Sequence, residues 1–183
     1  PAPSPTPAPS SSSSSKKLLL VLLPLLLIGG AAAAYLMLGG RTAEPAMTMD
    51  SCRKTVQGGV EPAAARGQAE ALAKKGQLLD CQFLLYKHAG EKGDRDAARV
   101  LGSFYDPDTW SKDKSPLPAP NPTEAARWHK QAAEAGDAEA QYRFGMLLKL
   151  GRTEVADGPE QAQVWLRKAA ESGHPLAKDA LVK

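Results

Sequence analysis

The sequence predicts an all-α chain: an α/α superhelix, or solenoid, of two-helix repeats, preceded by one N-terminal transmembrane helix. Three observations predict it. Residues 18–40 carry no charged side chain. A pattern of basic, Ala, Glu and Gly residues returns three times at fixed offsets within residues 78–183. Residues that favour strands are scarce: Ile28 is the sole isoleucine and valine is sparse after residue 40, which disfavours a sheet.

Five of the first ten residues are Pro, and Ser10 to Ser15 is an unbroken serine run. Such a segment has nothing to bury, so residues 1–17 read as a disordered linker. Residues 18–40 would span about 34 Å as a helix, matching a hydrocarbon core of about 30 Å. Pro24 and the Gly29-Gly30 pair suit a membrane helix better than a soluble one. The apolar region of a cleavable signal peptide is shorter and is not preceded by a polar linker. Residues 41–60 follow as a stalk. Residues 61–77, with the run PAAARGQAEALAKK, read as a helix that caps the repeats and ends at Gly76.

The repeats occupy residues 78–183, divided near 78–121, 122–158 and 159–183. Gly93, Gly136 and Gly173 anchor their alignment, 43 and then 37 residues apart. Eight residues before the anchor stand Leu85, Trp128 and Trp165; four before stand Ala89, Ala132 and Ala169; four after stand Ala97, Ala140 and Ala177. Each unit reads as helix, tight turn, helix. The glycine takes a left-handed stop, Asp94 and Asp137 cap the second helix, and Pro175 occupies a first helical position. Asn121-Pro122 and Gly158-Pro159 mark the starts of two first helices. The tryptophans, spaced helically against alanines, read as core knobs.

Trp/Tyr, a basic residue, Ala-Ala-Glu-x-Gly-Asp/His, then Ala and Leu-Gly at a period near 37 resembles the Sel-one-like repeat, a relative of the tetratricopeptide repeat. The segment WHKQAAEAGDAEAQYRFGMLL matches that pattern closely. In the first unit Leu85-Tyr86 replaces the aromatic and Gly90 replaces an alanine. The resemblance implies antiparallel helix pairs stacked into a superhelix whose concave side holds partner proteins.

Composition narrows the chemistry. The chain has 23 Lys+Arg and 20 Asp+Glu; residues 1–40 contain only Lys16 and Lys17, leaving the rest at a net of +1. So balanced a domain has no electrostatic footprint for a nucleic-acid backbone. His88, His129 and His174 stand at different offsets from the anchor, so no helix face gathers two of them for a metal. Asp106, Asp108 and Asp113 lack the ligand spacing of a calcium loop, and the connector holding them reads as exposed and turn-rich. No nucleophile elbow, phosphate loop or zincin motif is present. The reading assigns no catalytic residue, no cofactor and no metal.

Two expectations remain for sites. Lys87, Lys130 and Arg167 recur at one offset, and with Arg127 and Gln131 on the same outward face they form a surface for an acidic partner protein. Cys52 and Cys81 either pair in an oxidising compartment or stand as unrelated thiols. A bond would fasten the stalk to the first repeat, contribute about 3–4 kcal/mol and place the C-terminal domain outside the cytoplasm. Lys16 and Lys17 upstream against Arg41, Arg53 and Lys54 downstream leave the orientation rule undecided.

The functional expectation is an adaptor held by one span in the cytoplasmic membrane, its repeats periplasmic and binding another protein. The alternative, by analogy of architecture, is the sensor portion of a bacterial receptor enzyme such as a serine/threonine kinase, with catalysis encoded upstream of Pro1. A structural role in the cell envelope shares the adaptor's scaffold.

Overall fold

The computed structural model describes residues 47–153 and 157–182. The linker expected at 1–17 and the span expected at 18–40 lie outside them. Among the described residues there are eight helices and no strand, and no helix is long and apolar enough to cross a membrane. The helices are α1 Met49–Gln57, α2 Pro62–Lys74, α3 Leu79–Glu91, α4 Arg95–Tyr105, α5 Pro122–Glu134, α6 Ala138–Lys149, α7 Gly158–Glu171 and α8 Ala177–Val182.

The first helix lies where the sequence reading has only a stalk. Thr48 and Ser51 form a reciprocal capping box: each side-chain oxygen accepts from the other's backbone N–H, at 2.8 and 3.2 Å. That satisfies two donors the helix start leaves open. Cys52, fully buried, is disulfide-bonded to Cys81 on α3, with Cα atoms 5.9 Å apart. The helix packs on α3, skipping α2.

From α2 onward each helix packs against its successor, the short-range connectivity of a repeat array. The turns between paired helices share one hydrogen-bond pattern. Gly93, Gly136 and Gly173 have φ of +91°, +86° and +83°. The residue after each glycine, Asp94, Asp137 or His174, donates its N–H five residues back to Ala89, Ala132 or Ala169. This is the Schellman closure, which satisfies last-turn carbonyls and needs a left-handed residue. Asp94 and Asp137 then cap α4 and α6 by accepting from the N–H of Ala97 and Ala140, at 2.9 and 2.8 Å.

The alanines four before and four after each hinge, Ala89, Ala97, Ala132, Ala140, Ala169 and Ala177, are all 0% exposed. They are the seam on which the two helices of a unit meet. Between units the seam is glycine. A Cβ on Gly102 would lie 2.7 Å from Cγ of His129 on the next unit, and a Cβ on Gly145 would lie 2.9 Å from Cγ of Leu166. Gly90, the first unit's departure from the alanine pattern, leaves room for Trp128, whose Cζ3 would stand 3.0 Å from a Cβ there. Trp128 is buried, whereas Trp165 is half-buried and meets Phe144 edge-on at 5.6 Å.

The connector from α4 to α5 is docked rather than exposed throughout. Ser115 donates to the Phe104 carbonyl at 2.9 Å, Trp110 Nε1 to the Leu117 carbonyl at 3.3 Å, and the Asn121 N–H to the Tyr105 carbonyl at 2.8 Å. Asp106 and Ser115 are buried. The reason is local: the last carbonyls of α4 need donors, and the connector folds back to supply them.

Two substitutions separate the hinge from the seam. Nothing lies within 4 Å of a Cβ on Gly136, so Gly136→Val should cost only backbone strain, about 1–3 kcal/mol. Gly102→Ala drives a methyl into a buried ring and should cost about 3 kcal/mol. Urea unfolding of both variants checks this; full stability in Gly102→Ala contradicts the glycine seam.

Candidate functional site

A groove of about 410 Å³ beside α5 meets two of the sequence-selected cations. It is lined by Thr123, Ala126, Arg127 and Lys130 of α5, Phe144 of α6, Thr153, and Gln161 of α7. Ala126 and Phe144 are nearly buried and make an apolar floor. Arg127 and Lys130 supply the charge, and none of the described lining residues is a carboxylate. Arg127 stacks its guanidinium 4.1 Å from the Trp128 ring centroid and is gripped by Glu124 at 2.7 and 3.1 Å. That fixes a long side chain that would otherwise sample many rotamers. Lys130 lies 3.9 Å from Glu134, both half-exposed. The Thr153 hydroxyl oxygen is buried and has no hydrogen-bond partner among the described residues.

The structure thus brings together two of the five residues expected to meet a partner. Lys87, exposed on α3, lies 3.8 Å from Glu91, and Arg167 is exposed on α7; neither lines the groove. Gln131 is not an outward residue. Its side-chain amide donates to the Gly90 carbonyl at 2.6 Å, tying α5 to the last turn of α3. The basic stripe is also less positive than its offset implies, because the recurring Glu four residues on pairs with Lys87 and with Lys130. Exposed pairs of this kind contribute little.

The groove's other residues escaped the sequence reading. Their signal lies in the repeat alignment: Ala126 occupies the register that Phe83 holds one unit earlier, 43 residues before, and Arg127 that of Leu84. Phe83 packs against the rings of Phe104 and Tyr105 at 6.1 and 6.0 Å. The groove has Ala126 at the register where the preceding unit has that ring.

Beneath the surface, the three histidines sit at three successive joints. His88 Nε2 meets the Val60 carbonyl at 2.7 Å. His129, fully buried, holds Nε2 3.2 Å from Asp106 Oδ2, off the ideal hydrogen-bond axis. His174 Nε2 lies 2.8 Å from Glu139, and its Nδ1 accepts from the Leu176 N–H at 3.3 Å. That assigns the proton to Nε2 and lets the ring close the turn that precedes α8.

Burial pushes the Asp106 carboxyl up, but the His129 ring, the Asp108 N–H at 2.9 Å and the charge of Arg143 together hold it below the ordinary range. Glu139 is likewise raised by burial and lowered further by hydrogen bonds from Arg143 and His174. A His–Asp pair can move protons, yet here both side chains are 1% exposed or less, closed to any reactant. The pair is a joint between repeats. Among the described residues no three His, Cys, Asp or Glu side chains gather to hold a metal ion.

With this geometry in hand, comparison with known proteins is informative. The Sel1 repeat family matches residues 115–137 and 138–174. The second match begins on α6 and ends on His174, half a unit out of phase with the division made above. The chain is 33% identical, over 129 residues or 64% of its length, to chitin synthase regulatory factor 3 of Schizosaccharomyces pombe. It spans only 13% of that relative. A crystal structure of a Sel1 repeat protein from Oxalobacter formigenes resembles it with a TM-score of 0.55 at 27% identity, covering 74% of this chain and 49% of the other.

The carboxylates at the joints predict an acid limb. Both have folded values below those of the unfolded chain, so their stabilisation is present above about pH 4 and is lost as pH falls through the folded values. Asp106→Asn should cost about 2 kcal/mol at pH 7, and its deficit against the parent should shrink below pH 4. Urea midpoints from pH 3 to 7 measure it; a constant deficit refutes the assignment.

Proposed function

We propose that this Sel1-repeat chain is a membrane-tethered adaptor that holds a partner protein in the groove between α5 and α7. The observation that carries the reading is the groove itself: an apolar floor of Ala126 and Phe144 beneath two cations, one of them immobilised. Repeat arrays bind by presenting such surfaces on a rigid stack, and a fixed rotamer lowers the entropy lost on binding. A regulatory role is favoured by the fungal relative, which is called a regulatory factor.

The tether rests on the uncharged residues 18–40, long enough to span a bilayer. An extracytoplasmic side for the repeats, outside the cytoplasmic membrane, is supported by the Cys52–Cys81 bond, since disulfides persist in oxidising compartments. The chemistry of the adaptor needs no cofactor: the groove works by shape and charge.

Photo-crosslinking in the full chain tests the docking site. A photoreactive residue at Thr123 or Lys130 should give a discrete adduct with one protein, whereas the same residue at exposed Lys74, on α2, should not. Equal labelling from Lys74, or none from either groove position, refutes the site. The tether is tested separately. The full chain should stay with membranes through carbonate extraction at high pH, and a variant with three Leu→Lys changes among residues 18–27 should be released; release of the parent chain excludes a spanning helix.

A further inference from the structure

We infer that the segment received by the groove is an acidic stretch of another protein bearing one bulky apolar side chain. The inference rests on the adaptor reading above and specifies its ligand. Complementarity argues for the acid. Arg127 and Lys130 line the groove, none of its described lining residues is a carboxylate, and Glu124 and Glu134 pair with these cations along α5 itself. A bound carboxylate would meet these two half-exposed cations, Arg127 being held in place by Trp128 as well as by Glu124.

The apolar side chain follows from the volume. At the matching register of the preceding unit Phe83 supplies an aromatic ring, packed against Phe104 and Tyr105. At this joint Ala126 withholds it, and Phe144 forms the floor of what is left. A side chain the size of Phe or Leu from a partner would rest on this apolar floor of Ala126 and Phe144. Its burial supplies affinity, and the flanking carboxylates supply orientation and specificity. A nucleic acid is the poorer occupant. Two cations on a domain of net charge +1 neutralise too few phosphates for useful affinity at physiological salt.

The test uses the full chain and three fluorescent ten-residue peptides that differ only in a central tetrad: Asp-Glu-Phe-Asp, its amide form Asn-Gln-Phe-Asn, and its basic form Lys-Lys-Phe-Lys. Anisotropy titration should show the acidic peptide binding about tenfold more tightly than the amide form, with the basic form weakest. Raised salt should weaken the acidic peptide most. Lys130→Glu, at an exposed position that leaves the fold intact, should weaken the acidic peptide about tenfold and improve the basic one. Ala126→Phe, which imports the side chain of the preceding unit, should abolish binding while circular dichroism stays helical. Equal binding of the three peptides, or no response to Lys130→Glu, overturns the inference. No binding of the acidic peptide while the groove still crosslinks to a protein overturns the charge assignment alone. Loss of both removes the adaptor reading as well.

Discussion

Each unit of this chain reverses direction through a glycine in the left-handed region, and the residue after that glycine is made to serve two helices at once. Its N–H closes the end of one helix, while its side chain caps the start of the next. The same side chain also reaches the unit before. Asp94 meets Arg66 at 3.0 Å and Asp137 meets Arg99 at 3.3 Å, and the ring of His174 stacks on Tyr142 with centroids 4.2 Å apart. Arg66, Arg99 and Tyr142 are each the fifth residue of α2, α4 and α6. A turn that fixes the angle within a unit therefore also fixes its register against the neighbour. Where Asp gives way to His, Arg gives way to Tyr, and an ion pair becomes a stack in the same place.

Stacking so many short helices, none longer than 14 residues, leaves little to helix propensity; tertiary packing must carry the stability. Close approach is the means. Alanine seams within units and glycine seams between them let backbones come near enough for a large side chain to lie flat across the joint, as His129 does on Gly102 and Leu166 on Gly145. The first of these joints is polar and the second apolar, although their positions correspond. A buried His–Asp pair contributes less than a leucine would unless its groups are fully satisfied. Its effect here is to make the joint dependent on the charge of Asp106, so stacking weakens in acid at the very place where the connector is pinned.

How much of this is legible in the sequence depends on the range of the interaction. The hinges, the Asp caps and the alanine seams are local, and their residues stand within eight positions of one glycine, so spacing alone reveals them. The helix at Met49–Gln57 is local too but was read as a stalk, because its capping box carries Ser51 where the usual signature carries Glu or Gln. Gln131 illustrates the other limit. Periodicity places it beside Arg127 on an outward face, yet its partner is a carbonyl 41 residues away, and no spacing rule reaches across the fold. Asp106 is hidden for the same reason: the buried ring it meets, His129, belongs to another unit.

The groove shows why the departures from a repeat matter more for function than its consensus. The small apolar residues that recur in every unit are those every unit needs to stack, and they end up at the seams with no exposure left to offer a ligand. What is left for recognition is the variable register, and there the units differ: Phe83 and Leu84 close the first joint with apolar bulk, while Ala126 and Arg127 open the second and charge it. Lys87 and Lys130 occupy one offset in the alignment, yet the groove beside α5 is bordered by Lys130 and not by Lys87. A recurring cation is thus a property of the scaffold, and its surroundings, Phe83 in one unit and Ala126 in the next, are what differ between copies.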